Sequence, residues 1–124
     1  MYILRVQREL SAIHALTLQD GVREPLHPHT WRVQVQVSSE DLDEIASVMD
    51  FRDLVGHLDA VLGPLQGRTI NDLPAFAGKN PSSEVVAAHV FTAIAPLLPR
   101  RVRLDDVTIF RDEDLSASFS VRAR

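Results

Sequence analysis

The sequence predicts an α+β fold in which two helices cover one face of a four-stranded antiparallel sheet. Three observations support this prediction: two alternating segments at the start, two segments of helical spacing in the middle, and two alternating segments at the end. The order strand–strand–helix–helix–strand–strand places the helices together on one face. The 124 residues fit one domain spanning 1–124, because a chain of this length can bury a single core.

Four segments alternate between apolar and polar residues and predict the strands. Residues 1–10 alternate loosely, whereas residues 31–37 place Trp and three Val on one side and Arg and Gln on the other. The stretch 18–28 between them is rich in turn-forming residues and predicts a loop. Residues 107–110 and 117–121 predict the last two strands.

The two middle segments repeat apolar residues every three or four positions, as amphipathic helices do. Asp50 is placed to cap the first helix and Gly63 to end it, whereas Asn80 is expected to cap the second, with Pro81 in its first turn and Pro96 near its exit. The predicted apolar faces are Phe51, Leu54, Val55, Leu58, Val61 and Leu62 in the first helix, and Val86, Val90, Ala93, Ile94 and Leu97 in the second.

The composition excludes several classes of chemistry. With no cysteine, the chain has no disulfide, iron–sulfur cluster, thiolate zinc site or thiol nucleophile. The 17 acidic and 13 basic residues give a net charge of −4, which argues against a nucleic-acid surface. No segment is apolar enough for a membrane span or a signal peptide, so we expect a cytoplasmic protein.

Histidine and carboxylate side chains therefore have to supply any site chemistry. His27 and His29 are two residues apart on a strand and project to one face, and His14 is placed to lie opposite them across the hairpin. Three histidines with an open fourth position are typical of catalytic zinc, although exposed histidines without a metal also fit the spacing. Glu24 is either a general base, a partner of a ligand imidazole or a solvated loop residue.

Five short motifs occur in a characteristic order along the chain. They are Ser11-Ala12-Ile13-His14, His27-Pro28-His29-Thr30-Trp31-Arg32-Val33, Met49-Asp50-Phe51-Arg52-Asp53-Leu54, Ile70-Asn71-Asp72 and Asn80-Pro81-Ser82-Ser83-Glu84. Together they resemble the 6-pyruvoyl-tetrahydropterin synthase and 6-carboxy-tetrahydropterin synthase family over nearly the whole chain.

The resemblance implies the tunnelling fold and a homo-hexamer of two trimers, with active sites between subunits that bind a reduced pterin. It also implies a zinc cofactor on His14, His27 and His29, contacting hydroxyls of the pterin side chain. Ser82 and Glu84, in the last motif, are expected among the substrate-binding residues.

Three departures from the family pattern affect the expected chemistry. The usual catalytic cysteine is replaced by Arg23, although Glu24 matches the glutamate that a second group in the family uses instead. The acid–base Asp-His pair is replaced by Gln66 and Gly67, which do not titrate near neutral pH. Arg111 replaces the glutamate that anchors the pterin.

Because arginine only donates hydrogen bonds, Arg111 suits an acceptor edge, a carboxylate or a phosphate. A shift along the chain would offer Asp112 or Glu113 as the anchor, and strand alternation favours Glu113.

These features favour a zinc-dependent, lyase- or aldolase-like enzyme acting on a pterin derivative or a related heterocycle. Glu24 would be its catalytic base and Arg111 a substrate-binding residue. The alternative is a non-catalytic tunnelling-fold protein that keeps zinc for structure or binds a small molecule without turnover. A metal-free interaction module that uses the acidic runs near residues 40–44 and 111–114 is a third interpretation.

Overall fold

A computed structural model describes residues 1–121 and has the predicted element order. Its elements are β1 (Tyr2–His14), β2 (His27–Ser39), α1 (Phe51–Leu62), α2 (Ser83–Ile94), β3 (Arg103–Phe110) and β4 (Ser116–Phe119). The four strands form one antiparallel sheet in the order β1-β2-β3-β4. The α+β prediction is therefore confirmed. In this part of the chain no helix has the length and apolar character needed to cross a bilayer.

The sheet has one apolar face and one polar face, because side chains alternate along each strand. The apolar face packs against α1 and α2 and forms the core, and the register pairs its members across the strands, as Leu10 with Trp31 and Val33 with Ile109. On the opposite face, polar side chains pair instead, as in the 2.8 Å hydrogen bond from Gln7 Nε2 to Gln34 Oε1. Burial of the alternating apolar set thus fixes which face each residue occupies.

The first two strands are longer than the sequence predicted. β1 continues past Leu10 to His14, and β2 begins at His27, inside the stretch predicted as a loop. Their ladder runs from the pair Tyr2 and Ser39 to the pair His14 and His27. This extension brings the end of the sheet to the histidines.

The helix bounds of α1 are confirmed, including the cap, since the Asp50 side chain accepts a hydrogen bond from Arg52 N. The predicted cap of α2 is wrong: Ser82, not Asn80, accepts from Val85 N, and the Asn80 side chain bonds Thr17 instead. Two predicted core residues at helix ends are also exposed, Phe51 at 59% and Leu97 at 44%. Leu97 lies beyond the end of α2, in a 3-10 turn whose geometry no longer follows the helical face.

Candidate metal centre

Three histidines lie where the apolar face of the sheet reaches its end. His27 and His29 continue the row that Trp31 and Val33 occupy on β2, and His14 pairs with His27 from β1. One ring nitrogen from each histidine lies within 4.8 Å of the others. His14 is buried and the other two are half-buried, so the group lies at the boundary between core and solvent.

Backbone carbonyls orient two of the three rings. His14 Nδ1 lies 2.9 Å from the carbonyl oxygen of Pro81, and His27 Nδ1 lies 3.2 Å from that of Pro25. Because a carbonyl oxygen only accepts, both Nδ1 atoms carry the hydrogen in these bonds. The Nε2 atoms of His14 and His27 therefore keep a free lone pair, the form in which imidazole binds a metal.

The surroundings of the third histidine, His29, disfavour its protonated form. Partial burial is the main cause that holds the pKa of His29 below its usual value; the proximity of His14, Arg111 and His27 adds to it, and Asp112 opposes it. The indole of Trp31 packs against His14 and His29, with its ring centroid 4.9 Å from that of His14 and 5.2 Å from that of His29. Since Trp31 is fully buried, it fixes the spacing of these two rings.

One cavity of about 260 Å³ brings together every site residue that the sequence predicted. Its lining includes His14, Glu24, His27, His29, Ser82, Glu84 and Arg111. The histidines come from the β1–β2 end, the serine and Glu84 from the start of α2, and Arg111 from the turn after β3. The cavity thus combines a candidate metal centre with the carboxylates of Glu24 and Glu84 and the guanidinium of Arg111.

The Glu24 carboxylate has a defined orientation at the cavity. Its Oε1 accepts a hydrogen bond from Leu16 N at 2.9 Å, and its own backbone N–H donates to Leu16 O at 2.9 Å. Glu24 is half-buried, and within residues 1–121 its Oε2 has no hydrogen-bond partner. One oxygen therefore fixes the side chain while the other is available to a ligand.

Arg111 has no committed partner in the described part of the chain. Its guanidinium forms neither a hydrogen bond nor a salt bridge there, although it lines the histidine cavity. Asp112 and Glu113, the alternative anchors, line a neighbouring cavity of about 270 Å³ and not the histidine cavity. Arg111 lines both cavities, so an arginine borders the candidate metal centre, with the Asp112 carboxylate near enough to act on the pKa of His29.

The segment that replaces the expected acid–base pair holds the outer edge of β1. Gln66 Oε1 accepts from Ser11 N at 3.0 Å, and Gln66 Nε2 donates to Glu9 O at 2.8 Å. Gly67 N donates to Ser11 O at 2.7 Å, with Gly67 at a φ of +69°.

Farther along, Asn71 and Asn80 bond the backbone after His14. Local patterns did not predict these contacts: Asn80 was expected to cap α2 and Asn71 had no expected role, because the partners of both lie more than 50 residues away.

The fold and the site define a four-stranded α+β protein with a candidate three-histidine metal centre. The chain belongs to the 6-pyruvoyl tetrahydropterin synthase family, whose model matches residues 3–122. It is 32% identical over 99 residues to a 6-carboxy-5,6,7,8-tetrahydropterin synthase from Synechocystis, covering 76% of this chain and 75% of that protein.

Solved structures of the family share the fold. The Caenorhabditis elegans 6-pyruvoyl tetrahydropterin synthase has a TM-score of 0.78 at 20% identity, with 98% of each chain covered. A Plasmodium vivax 6-pyruvoyltetrahydropterin synthase, described as a variant in which a catalytic glutamate is changed to alanine, has a TM-score of 0.73 at 16% identity. It covers 99% of this chain and 100% of its own.

Proposed function

We propose that this protein is a zinc-dependent enzyme of the 6-pyruvoyl tetrahydropterin synthase family with a lyase- or aldolase-like reaction. Its substrate would be a pterin derivative or a related heterocycle. One observation carries the proposal: ring nitrogens of His14, His27 and His29 converge within 4.8 Å in the cavity that also contains the Glu24 carboxylate.

The donor set fits zinc. Neutral imidazole is a preferred zinc ligand, and three of them leave a fourth position for water or substrate. The carbonyl partners of His14 and His27 supply the outer hydrogen bonds that orient such ligands. When bound, zinc acts as a Lewis acid that polarises a substrate oxygen and acidifies the neighbouring carbon–hydrogen bond.

Glu24 is the group we propose for proton transfer. Its Oε2 faces no competing donor within residues 1–121, and its Oε1 is held by Leu16 N, so the carboxylate is pre-oriented at the cavity. A positioned carboxylate is a suitable general base when the carbon acid is activated. The catalytic glutamate named for the Plasmodium vivax protein supports a glutamate in this role.

Arg111 would select the substrate by charge. Its guanidinium, which has no partner within residues 1–121, would bind an acceptor edge, a carboxylate or a phosphate, groups that the usual glutamate anchor cannot bind. Ser82 and Glu84, at the start of α2, would complete the substrate contacts. The relatives' names indicate a reduced pterin, so we propose a pterin-like ring with an acceptor group directed at Arg111.

Assembly into a homo-hexamer of two trimers is part of the proposal. β1 and β4 are the two edges of the sheet, and the outer edge of β1 is covered by the segment 66–68 only from Glu9 onward. Unpaired edge strands favour pairing with another chain, which would join the sheets of neighbouring subunits.

Incubation of zinc-loaded protein with a panel of reduced pterins and related heterocycles, followed by mass spectrometry, tests the reaction. We expect Glu24→Gln to reduce turnover by about 100-fold or more, as loss of a general base does. The control Glu44→Gln changes an exposed carboxylate far from the cavity and should leave turnover unchanged. Full turnover in Glu24→Gln would contradict the role of Glu24.

A second candidate is a non-catalytic zinc protein, favoured by the commitment of Gln66 and Gly67 to the β1 backbone. Urea denaturation with and without chelator separates the two functions. A structural zinc contributes several kcal/mol to folding, so its removal would markedly lower the free energy of unfolding. An open catalytic site predicts a small decrease together with detectable turnover.

A further inference from the structure

Each of the three residues after His14 is held by a side chain from elsewhere in the chain. Ala15 N donates to Asn71 Oδ1 at 2.9 Å, and Asn71 Nδ2 donates to Ala15 O at 2.8 Å. Thr17 N donates to Asn80 Oδ1 at 2.8 Å, and Asn80 Nδ2 donates to Thr17 O at 3.0 Å. Between them, Leu16 bonds Glu24. These side-chain bonds hold the chain beyond β1 in addition to the backbone bonds that join Leu16 to Glu24 and Leu18 to Val22.

The choice of asparagine follows from this geometry. In an extended chain, the N–H and C=O of one residue point to the same side, and successive residues point to opposite sides, so that residues two apart share a side. A carboxamide offers one acceptor and one donor group, so it satisfies both groups of a single residue at once. The sequence contains only two asparagines, Asn71 and Asn80, and both make this two-point contact on the same side of the chain.

Both asparagines are linked to the position of His14. Asn71 fixes the residue that directly follows His14. Asn80 directly precedes Pro81, whose carbonyl oxygen is 2.9 Å from His14 Nδ1. The Asn80 contact with Thr17 therefore holds the Pro81 carbonyl against the segment that carries the imidazole. His14 is also the one histidine of the three that comes from β1, where its pairing with His27 is the last of the ladder.

We propose that Asn71 and Asn80 are positioning residues that set the backbone and the ring orientation of His14 for metal binding. The expected effect on zinc affinity rests on the proposed function, whereas the expected effect on the orientation of His14 does not. Ligand imidazoles require an outer hydrogen-bond partner with a fixed position, and loss of such a partner lowers metal affinity by about 10- to 100-fold.

The first test uses metal-free protein and nitrogen-15 NMR of the histidine side chains at a pH where they are neutral. We expect His14 of the wild type to carry its hydrogen on Nδ1, as the Pro81 contact requires. Asn71→Ala and Asn80→Ala should shift His14 towards a mixture of the two tautomers. The matched control is Gln66→Ala, which also removes two carboxamide bonds to the β1 segment but at Glu9 and Ser11.

The second test measures zinc affinity by competition with a chelator. Asn71→Ala and Asn80→Ala should weaken binding by up to about tenfold, because they displace the Pro81 carbonyl or the His14 backbone without removing the direct partner of the ring, whereas Gln66→Ala should change the dissociation constant less than either. Because Asn80 is exposed, its variant keeps the test valid if the half-buried Asn71 variant does not fold. If folded variants match Gln66→Ala in both tautomer and affinity, the inference is overturned. If wild type binds no zinc but the tautomer changes as expected, the proposed function fails and the positioning of His14 stands.

Discussion

The Nδ1 atom of His14 lies 2.9 Å from the carbonyl oxygen of Pro81, 67 residues later in the chain. This contact joins the end of β1 to the turn that begins α2, and it fixes which nitrogen of the imidazole carries the hydrogen. The candidate metal centre is therefore not made by the β1–β2 hairpin alone. The start of α2 orients its buried ligand, so the packing of helix against sheet determines the geometry of the site.

The positive φ at position 67 should make glycine more stable there than a residue with a side chain. Its φ is +69°, and a Cβ at this position would meet no atom within 4 Å, so substitution costs backbone strain alone. We expect Gly67→Ala to lower the free energy of unfolding by about 1–2 kcal/mol, measured by urea denaturation. The control Gly56→Ala, in α1 and equally free of contacts, should raise it by up to about 1 kcal/mol. Equal effects of the two substitutions would contradict this explanation.

Arg111 should determine the charge of the preferred ligand. Because its guanidinium lines the histidine cavity without a partner among residues 1–121, a pterin carrying a carboxylate should bind more tightly than the same pterin without it. Arg111→Ala should remove this preference and Arg111→Glu should reverse it, as measured by isothermal titration calorimetry. The control Arg100→Ala alters an exposed arginine outside the cavity. A preference that persists in Arg111→Glu would exclude a direct contact.

Asp106 should make the stability of the fold depend on pH. Burial, and secondarily the charge of Asp105, raises the pKa of Asp106 in the folded chain. The ionised carboxylate is thus disfavoured by folding, with the full penalty above the folded pKa and none below the unfolded value. Asp106→Asn should therefore increase the free energy of unfolding at pH 7, and this gain should shrink as the pH falls through the folded pKa.

Urea denaturation of Asp106→Asn at neutral and acidic pH checks this expectation, with Asp105→Asn as the control. The Asp105 carboxylate accepts hydrogen bonds from Ser38 Oγ at 2.8 Å and Gln36 Nε2 at 3.2 Å, so its replacement should give no comparable gain. A gain in Asp106→Asn that is the same at both pH values would show that removal of the charge is not its cause.

Local patterns were sufficient to predict much of the fold and the site. Alternation along β2 predicted that His27 and His29 share a face. A hairpin through the turn-rich stretch predicted that His14 lies opposite them. Contacts between distant segments were not predictable in this way. Asparagine is a common helix cap, but the Asn80 side chain bonds the backbone of Thr17, and Ser82 caps α2 instead. Only the folded chain shows that Asn71 and Gln66 supply bonds to β1.

The measurement that tests the central claim most directly is the zinc stoichiometry of the purified protein and its histidine variants. We expect one zinc per chain, lost in His14→Ala, His27→Ala and His29→Ala and kept in the controls His57→Ala and His89→Ala. The two control histidines lie on α1 and α2, outside the cavity. Wild-type protein without zinc affinity, or full zinc occupancy in His29→Ala, would contradict the account.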